Sequence, residues 1–554
     1  MEAQTPADVP AAIADVERLT RDHGYYAAGY LAYEAGAAFG LGSGRMGAMP
    51  LAWFALFEQA SAREADAIPA SESYRLGEAR PSLDRPQFAA AFGRIKSHLA
   101  AGDSYQVNFT FKMRATFEGD PLGLFADLVR AQEGSYSVYL NTGNHAICSA
   151  SPELFLKLDG LDVVARPMKG TAPRGRTLAE DEERREALRQ SPKERAENVM
   201  IVDMVRNDLG KIAEVGTVET PELFSVERYP NVWQMTSLVR ARSRASLGEM
   251  FAAVHPSASV TGAPKHRTME IIDALETEPR GVYTGAIGYL RPDGNGHFNV
   301  AIRTAVVDPD QGLAEFGVGS GVVWDSEAAA EYDECLLKGS VLGRSPADFE
   351  LLETTVWTAA GSFLHLERHL ERQRASAEYF GFAYDEAAVR AALQEAVANV
   401  TGRQRVRFLT SREGAVRVET FPIAEDAPRA PLRVALAAGP VDSRDPFLFH
   451  KTTNRSVYER AAIDGMDDVI LWNEKGEITE STRANVIVEL ENGDVVTPPI
   501  DAGLLGGTAR AEICASGDVR EKSVTVAELK AARRIWLTNS VYARRDATLV
   551  DSPA

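Results

Sequence analysis

Cysteine is scarce: the 554 residues contain three, Cys148, Cys335 and Cys514, set far apart. That spacing excludes a disulfide framework and a Cys-x-x-Cys metal site, and it suits a reducing compartment. Long apolar runs are missing too. No stretch approaches the roughly 18 residues of a membrane-spanning helix. The first residues, Met1 to Pro6, carry neither the basic start nor the apolar segment of a secretory signal. The expectation is a cytoplasmic protein with no membrane partner. Positive charge is in deficit, and a net charge of -19 argues against nucleic acid as a partner. It still leaves room for a local basic pocket. Internal repeats and long low-complexity segments are absent.

What is present is a soluble, globular composition, 45% hydrophobic and 25% charged, on a chain too long for one ordinary core. The turn-rich run Gly343-Arg344-Ser345-Pro346-Ala347-Asp348 divides two patterns, which places a domain boundary near 346. Before it, strands and helices mix. His297 to Thr304 alternates like a half-buried strand, with Phe298, Val300 and Ile302 on one face and Asn299, Ala301 and Arg303 on the other. Tyr283 to Leu290 has the character of another strand. Met269, Ile272 and Leu275 have helical spacing after Gly262-Ala263-Pro264. Beyond the break, Phe349 to Val356 is strand-like and Leu366 to Gln373 helical.

Chemistry-bearing residues cluster in the first pattern. Glu331, Glu334 and Lys338 lie at i, i+3 and i+7, one face of a helix. Glu197 starts a second helical run to Asp208. Carboxylates from separate helices make an oxygen site suited to Mg2+, although each glutamate alone fits plain surface charge equally well. Gly317-Val318-Gly319-Ser320-Gly321 follows a strand-like run, and its alternate glycines let backbone N–H groups approach an anion; a turn explains them as well. Arg303 is suited to a bidentate carboxylate contact. Lys169, in Arg166-Pro167-Met168-Lys169-Gly170-Thr171, sits where backbone approaches a ligand closely.

Residues 84 to 342 resemble the chorismate-utilising enzymes: anthranilate synthase component I, aminodeoxychorismate synthase component I and isochorismate synthase. The stretches that carry the resemblance are Gly102 to Asn108, Ser151-Pro152-Glu153, Arg166 to Arg174, Glu197 to Gly210, Thr261 to Lys265, Ile302-Arg303-Thr304, Gly317 to Gly321 and Glu331 to Lys338. Gly29 to Glu34 is similar to the part that completes the sheet sandwich in these enzymes. The resemblance implies an α+β domain over 1–345, an antiparallel sheet sandwich with surrounding helices. It implies Mg2+ held by Glu197 and Glu334 with Glu331 close by. Tyr283, Arg303, Gly317, Gly319, Lys338 and Thr261 would meet the substrate, and Glu153 would be the acid or base. Anthranilate synthases usually have alanine where Lys169 stands. Aminodeoxychorismate synthases have lysine, which attacks the ring, and a cationic neighbour such as Arg166 would favour the neutral amine it needs. A lysine that only pairs a substrate carboxylate is the plainer alternative. Many relatives carry histidine where this chain has Gln234, which cannot titrate.

In the second pattern, Lys451 lies beside polar residues in His450 to Arg455, and Glu480 lies in Gly476 to Val486. A pyridoxal phosphate site needs a lysine, an acid at the ring nitrogen and an anion cradle. Arg372, Gly506-Gly507-Thr508 and Ser540 are candidates for the cradle; His369 reads as a helix-surface or core residue. Residues 349 to 550 resemble fold-type IV pyridoxal phosphate enzymes, on Leu366 to Ser376, Lys451 with Asn454, Ile478-Thr479-Glu480 and Leu504 to Arg510. This implies a 346–554 domain in which Lys451 is the Schiff-base lysine and Glu480 contacts the ring nitrogen. Arg372, Gly507, Thr508 and Ser540 would hold the phosphate, and the domain would dimerise.

Together the resemblances imply that chorismate and ammonia give 4-amino-4-deoxychorismate, from which pyruvate is eliminated to give 4-aminobenzoate, the folate precursor. The alternatives are an anthranilate or other chorismate synthase fused to an amino acid transaminase, and a catalytically silent binding subunit. None of the three cysteines lies in a glutaminase motif, so a separate glutamine amidotransferase subunit is expected to supply ammonia.

Overall fold

The computed structural model describes residues 1–42, 45–62, 73–342, 348–423, 430–542 and 544–551. It divides into two compact units, Met1–Pro173 with Arg185–Pro346, and Arg174–Arg184 with Ala347–Ala554. The boundary expected near 346 lies outside the described residues. The short Arg174–Arg184 segment belongs to the second unit: the Tyr379 hydroxyl donates to Gly175 O at 2.7 Å, and Arg174 Nη2 donates to Tyr379 O at 2.8 Å. Among the described residues no helix is long and apolar enough to cross a membrane.

The first unit contains two antiparallel sheets, of ten and eight strands among the described residues. Tyr30 and Ile287 of the larger sheet pack with Leu140 and Ile147 of the smaller one, so the inner faces meet in a sandwich. The outer face of the larger sheet, including Leu31, Phe54 and Leu156, is covered by the helices Val9–His23, Pro192–Gly210 and Leu247–Val254. The smaller sheet buries Phe109, Phe111, Phe316 and Val318 under Arg85–Ala100, Pro121–Gln132, Lys265–Leu275 and Ala328–Gly339. Alternation along each strand thus supplies one face to each of two apolar layers.

Three local readings change. The strand expected over 297–304 is two strands, Gly296–Val300 in the larger sheet and Thr304–Asp308 in the smaller. The chain changes sheet between them, and Arg303 takes a left-handed conformation, φ 52°, at the crossing. The strand expected from Tyr283 begins at Ala286, so Tyr283 lies in the preceding turn. The helix bearing Glu197 starts earlier, at Pro192, where the Ser191 side chain accepts from Glu194 N.

In the second unit a three-stranded antiparallel sheet, Leu351–Trp357, Gln404–Thr410 and Val416–Pro422, packs with the helices Leu366–Phe380 and Glu386–Val397. The eight-stranded sheet is mixed. Six of its strands, from Ile478–Ser481 round to Asn485–Glu489, close on themselves through the Glu480↔Asn485 pair. Closure removes two sheet edges and encloses the Val434, Ile470, Val486 and Leu537 core.

Candidate functional site

Lys169 lies on the strand Met168–Pro173, whose register against Val232–Arg242 slips between Met168 and Thr171. Gly170, φ 103°, permits that bulge, which re-aims the lysine. The strand is bracketed on both sides. Asn198 Nδ2 donates to Lys169 O at 3.0 Å and Gln234 Nε2 donates to Gly170 O at 2.8 Å. Gln234 therefore has a structural task where a titrating group was expected in relatives. Lys169 Nζ is 3.3 Å from Glu197 Oε2, and it reaches the second sheet: a Cβ on Gly321 would stand 2.9 Å from it. Arg166 does not join it, because its guanidinium pairs with Glu227 at 2.5 Å.

Gly317, Gly319 and Gly321, read as an anion cradle or a turn, form part of the strand Leu313–Val322. Their ladder partners Lys112, Thr110 and Asn108 send their N–H groups elsewhere, to Ser82 Oγ, Glu276 Oε1 and Thr261 O. These are the widely spaced pairs of an antiparallel ladder, so Gly317, Gly319 and Gly321 turn their own N–H groups to the opposite edge. Two of the glycines are sterically required. A Cβ at 317 would stand 2.1 Å from the Tyr283 ring, and one at 319 would stand 2.6 Å from Thr110 Cγ2.

Beside this edge, Lys338 Nζ donates to Gly319 O at 2.9 Å and pairs with Glu334 at 2.5 Å. Desolvation would raise the Glu334 carboxyl, but Lys338, Lys169 and Arg303 together hold it below its ordinary range. Arg303 is largely desolvated, which lowers its pKa; Nη1 donates to Lys338 O at 3.1 Å, and among the described residues it has no carboxylate partner within ion-pair range. Lys169 thus acts on both Glu197 and Glu334. Among the described residues no three His, Cys, Asp or Glu side chains gather as a metal site.

Glu153 is buried, and that burial pushes its carboxyl up to about 7, against hydrogen bonds from Ser259 Oγ at 2.6 Å and the Met168 backbone. Its carboxyl thus lies near neutrality beside the strand that bears Lys169. Thr261 is placed differently from expectation: it is fully buried, and its hydroxyl donates to Ser257 O and Ala258 O of its own turn. Gln106 was not singled out by sequence. It is fully buried, both amide atoms lack a partner among the described residues, and its Nε2 would stand 3.2 Å from a Cβ at Gly321, close to Lys169 Nζ.

The second unit holds a cavity of about 410 Å³, lined by Lys451, Glu480, Arg372, Gly507, Thr508 and Ser540 among others. Lys451 is tied down by its backbone, Leu352 N donating to Lys451 O at 3.0 Å. Desolvation and the neighbouring Arg372 lower its pKa to about 8, against the pull of Glu353 and Glu480. Glu480 stands at the barrel closure. Burial lifts its carboxyl to about 7, while Tyr458 Oη at 2.8 Å and Leu505 N at 3.2 Å donate to it. Gly507 caps the helix Thr508–Ala515 with no side-chain cap bond, leaving the helix-start N–H groups for an anion. A Cβ at Gly507 would stand 1.9 Å from Asn485 Oδ1.

Arg372 is already engaged. It donates to both oxygens of buried Glu353, at 2.8 and 2.7 Å, and to Gly506 O at 2.8 Å. His369 is buried too, 2.7 Å from Glu353 through Nδ1 and 3.3 Å from Thr508 Oγ1 through Nε2. Thr508 Oγ1 then meets Ser540 Oγ at 2.7 Å. Burial would raise Glu353, but Arg372 and His369 outweigh it and hold the carboxyl at about 2. His369 is thus a core residue that fixes the candidate anion cradle. Glu353 went unnoticed in sequence because nothing in its strand marks it as charged for a purpose.

Residues 3–344 match a family model described as chorismate binding enzyme, and residues 350–547 match one described as amino-transferase class IV. Aminodeoxychorismate synthase component 1 of Klebsiella aerogenes is 42% identical over 274 residues, 49% of this chain and 60% of that protein. An anthranilate synthase component 1 of Haloarcula marismortui is 41% identical over 257 residues, 46% of this chain and 51% of that protein. The chain therefore spans three-fifths or less of these curated relatives. The solved anthranilate synthase component I of Streptococcus pneumoniae superposes with a TM-score of 0.50 at 27% identity, over 58% of this chain and 81% of that one.

Proposed function

The chain belongs to the chorismate binding enzyme family, and from that premise we propose that residues 1–345 aminate chorismate at C4 and residues 346–554 eliminate pyruvate from the product, giving 4-aminobenzoate. The observation that carries this reading is the placement of Lys169. Overall identity does not choose between ring positions, since relatives named for either reaction match about equally well. A lysine whose Nζ reaches Glu197 and Gly321 supplies a nucleophile at the substrate edge.

In this scheme the Gly317, Gly319 and Gly321 N–H groups, Arg303 and Lys338 hold the chorismate carboxylates. Glu197 and Glu334 fit a Mg2+ that keeps waters and takes a substrate carboxylate, since one or two protein carboxylates suffice for that ion. Mg2+ would neutralise that carboxylate and orient the ring. Glu153 gives its proton to the C4 hydroxyl, which leaves as water while Lys169 Nζ, as the neutral amine, bonds to C2 through its lone pair and becomes a secondary ammonium. Ammonia then bonds to C4 and the C2–N bond to Lys169 breaks. Relatives named as component 1 support a separate subunit that delivers the ammonia.

The second cavity fits pyridoxal phosphate: Lys451 and Glu480 face it, and Thr508, Ser540 and the helix start suit a phosphate. When bound, the cofactor would supply the electron sink for removing a proton from carbon. Lys451, poised near neutrality, takes the C4 proton of the substrate. Glu480 holds a proton toward the ring nitrogen, and Tyr458 orients Glu480. The test is product analysis of the cofactor-loaded chain given chorismate and ammonium. The reading requires 4-aminobenzoate; anthranilate contradicts it.

A further inference from the structure

The class IV cavity carries more positive charge than its proposed cofactor needs. In a chain of net charge -19, its lining includes Arg372, Arg405, Arg407, Lys451, Arg455 and Arg483 against a single carboxylate, Glu480. Arg372 is neutralised by Glu353, and Lys451 has a cofactor role in the reading above. Four guanidinium groups remain.

They fall into two pairs on different elements. Arg405 and Arg407 lie at i and i+2 of the strand Gln404–Thr410, on one face, opposite Val356 and Thr354. Arg405 has no carboxylate partner among the described residues and lies over the Phe421 ring at 4.5 Å. Arg407 has one loose partner, Glu419 at 3.8 Å, and its Nε is buried without any. The second pair stands where the chain passes Lys451 and Glu480. Arg455 is fixed by donation from Nη2 to Thr482 O and by the Tyr458 ring at 4.4 Å. Arg483 follows Thr482 directly; Asn539 Nδ2 donates to its carbonyl, and its guanidinium makes no ion pair or hydrogen bond among the described residues.

Arg407 and Arg455 are half-buried and Arg405 and Arg483 exposed; guanidinium groups gathered round one cavity repel one another, and they are stabilised when an anion enters. Guanidinium groups also suit carboxylates, which they bind through two parallel hydrogen bonds. We propose that the two arginine pairs form a receptor for a substrate with two carboxylates, Arg405 and Arg407 meeting one, Arg455 and Arg483 the other. The proposal rests on the class IV unit working as read above, and it assigns to Arg405, Arg407, Arg455 and Arg483 the selection of that dicarboxylate substrate over an ordinary monocarboxylate amino acid. It also gives a physical route to product release. Elimination splits the two carboxylates between two molecules, so each product keeps one arginine pair and loses the other.

The test uses the full chain loaded with pyridoxal phosphate and two probes, 5-aminobenzene-1,3-dicarboxylate and 4-aminobenzoate. Binding is read from the change each causes in the absorbance of the bound cofactor, which reports this cavity alone. The expected result is a dicarboxylate Kd at least about tenfold below that of the monocarboxylate. Arg407→Ala and Arg483→Ala should each remove about tenfold of that preference, with cofactor loading unchanged. Arg483 is exposed, so Arg483→Ala serves if Arg407→Ala does not fold. Equal Kd values for the two probes, or variants that keep the full preference, would overturn the proposal. Conversion of supplied 4-amino-4-deoxychorismate is measured in parallel. Turnover without a dicarboxylate preference sinks only the receptor; a preference without turnover sinks only the elimination reading.

Discussion

Two lysines sit at the centres of two sites, and their surroundings differ in kind. Lys451 has arginines for neighbours and lies in a cavity, and its pKa falls to about 8. Lys169 lies on a bulged strand with Glu197 at 3.3 Å and a glycine edge against its tip. One residue type thus meets two electrostatic settings, set by what surrounds it. Around Lys451, desolvation and like charge favour the neutral amine that exchanges protons. Around Lys169, the proposed acid is a separate residue, Glu153, and the lysine's strand is held by donation from Asn198 and Gln234 to the backbone.

The largest expected effect isolates the second site. Lys451→Ala should lower conversion of 4-amino-4-deoxychorismate to 4-aminobenzoate by at least about a thousandfold while leaving its synthesis from chorismate intact. Parallel loss of both activities would dissolve the distinction between the sites. Next comes the acid of the first site. Glu153 must carry its proton to act, and its carboxyl is lifted to about 7, so the synthesis rate should fall as pH rises through about 7. Glu153→Gln should lower the rate by about 10²–10⁴ and abolish that limb of the profile. A wild-type rate that is flat from pH 6 to 8 would remove Glu153 from the mechanism.

A stability difference follows from Glu353. Its folded pKa, about 2, lies below the roughly 4.3 of a free glutamate. The stabilisation is therefore present above pH 4.3 and is lost as pH falls through about 2. Glu353→Ala, leaving half-buried Arg372 without its carboxylate, should destabilise the second unit by about 3 kcal/mol in denaturant titrations, with no change in the first unit. The smallest effect is steric. Gly317→Ala places a Cβ against the Tyr283 ring and should cost about 1–3 kcal/mol, with a raised KM for chorismate.

The two halves were legible in the sequence to different depths. Helices bearing Glu334 and Lys338, or Arg372 and His369, follow from 3.6-residue spacing, and the structure has them over Ala328–Gly339 and Leu366–Phe380. Alternate glycines at 317, 319 and 321 pointed to an anion edge, but the same period of two is that of a strand, and only the ladder to Gln106–Gly119 reveals it. The break at Arg303 was hidden because alternation continues across a change of sheet. Gln106, Glu353 and the four cavity arginines went unread for a common reason. Each matters through partners distant in sequence, or through lacking them, and no local pattern records that.

The central claim is that Lys169 acts as the nucleophile that directs amination to C4. The direct measurement is Lys169→Ala in the full cofactor-loaded chain, given either chorismate with ammonium or preformed 4-amino-4-deoxychorismate. The account predicts no 4-amino-4-deoxychorismate from chorismate, and undiminished 4-aminobenzoate from the supplied intermediate. Unchanged synthesis from chorismate would contradict it.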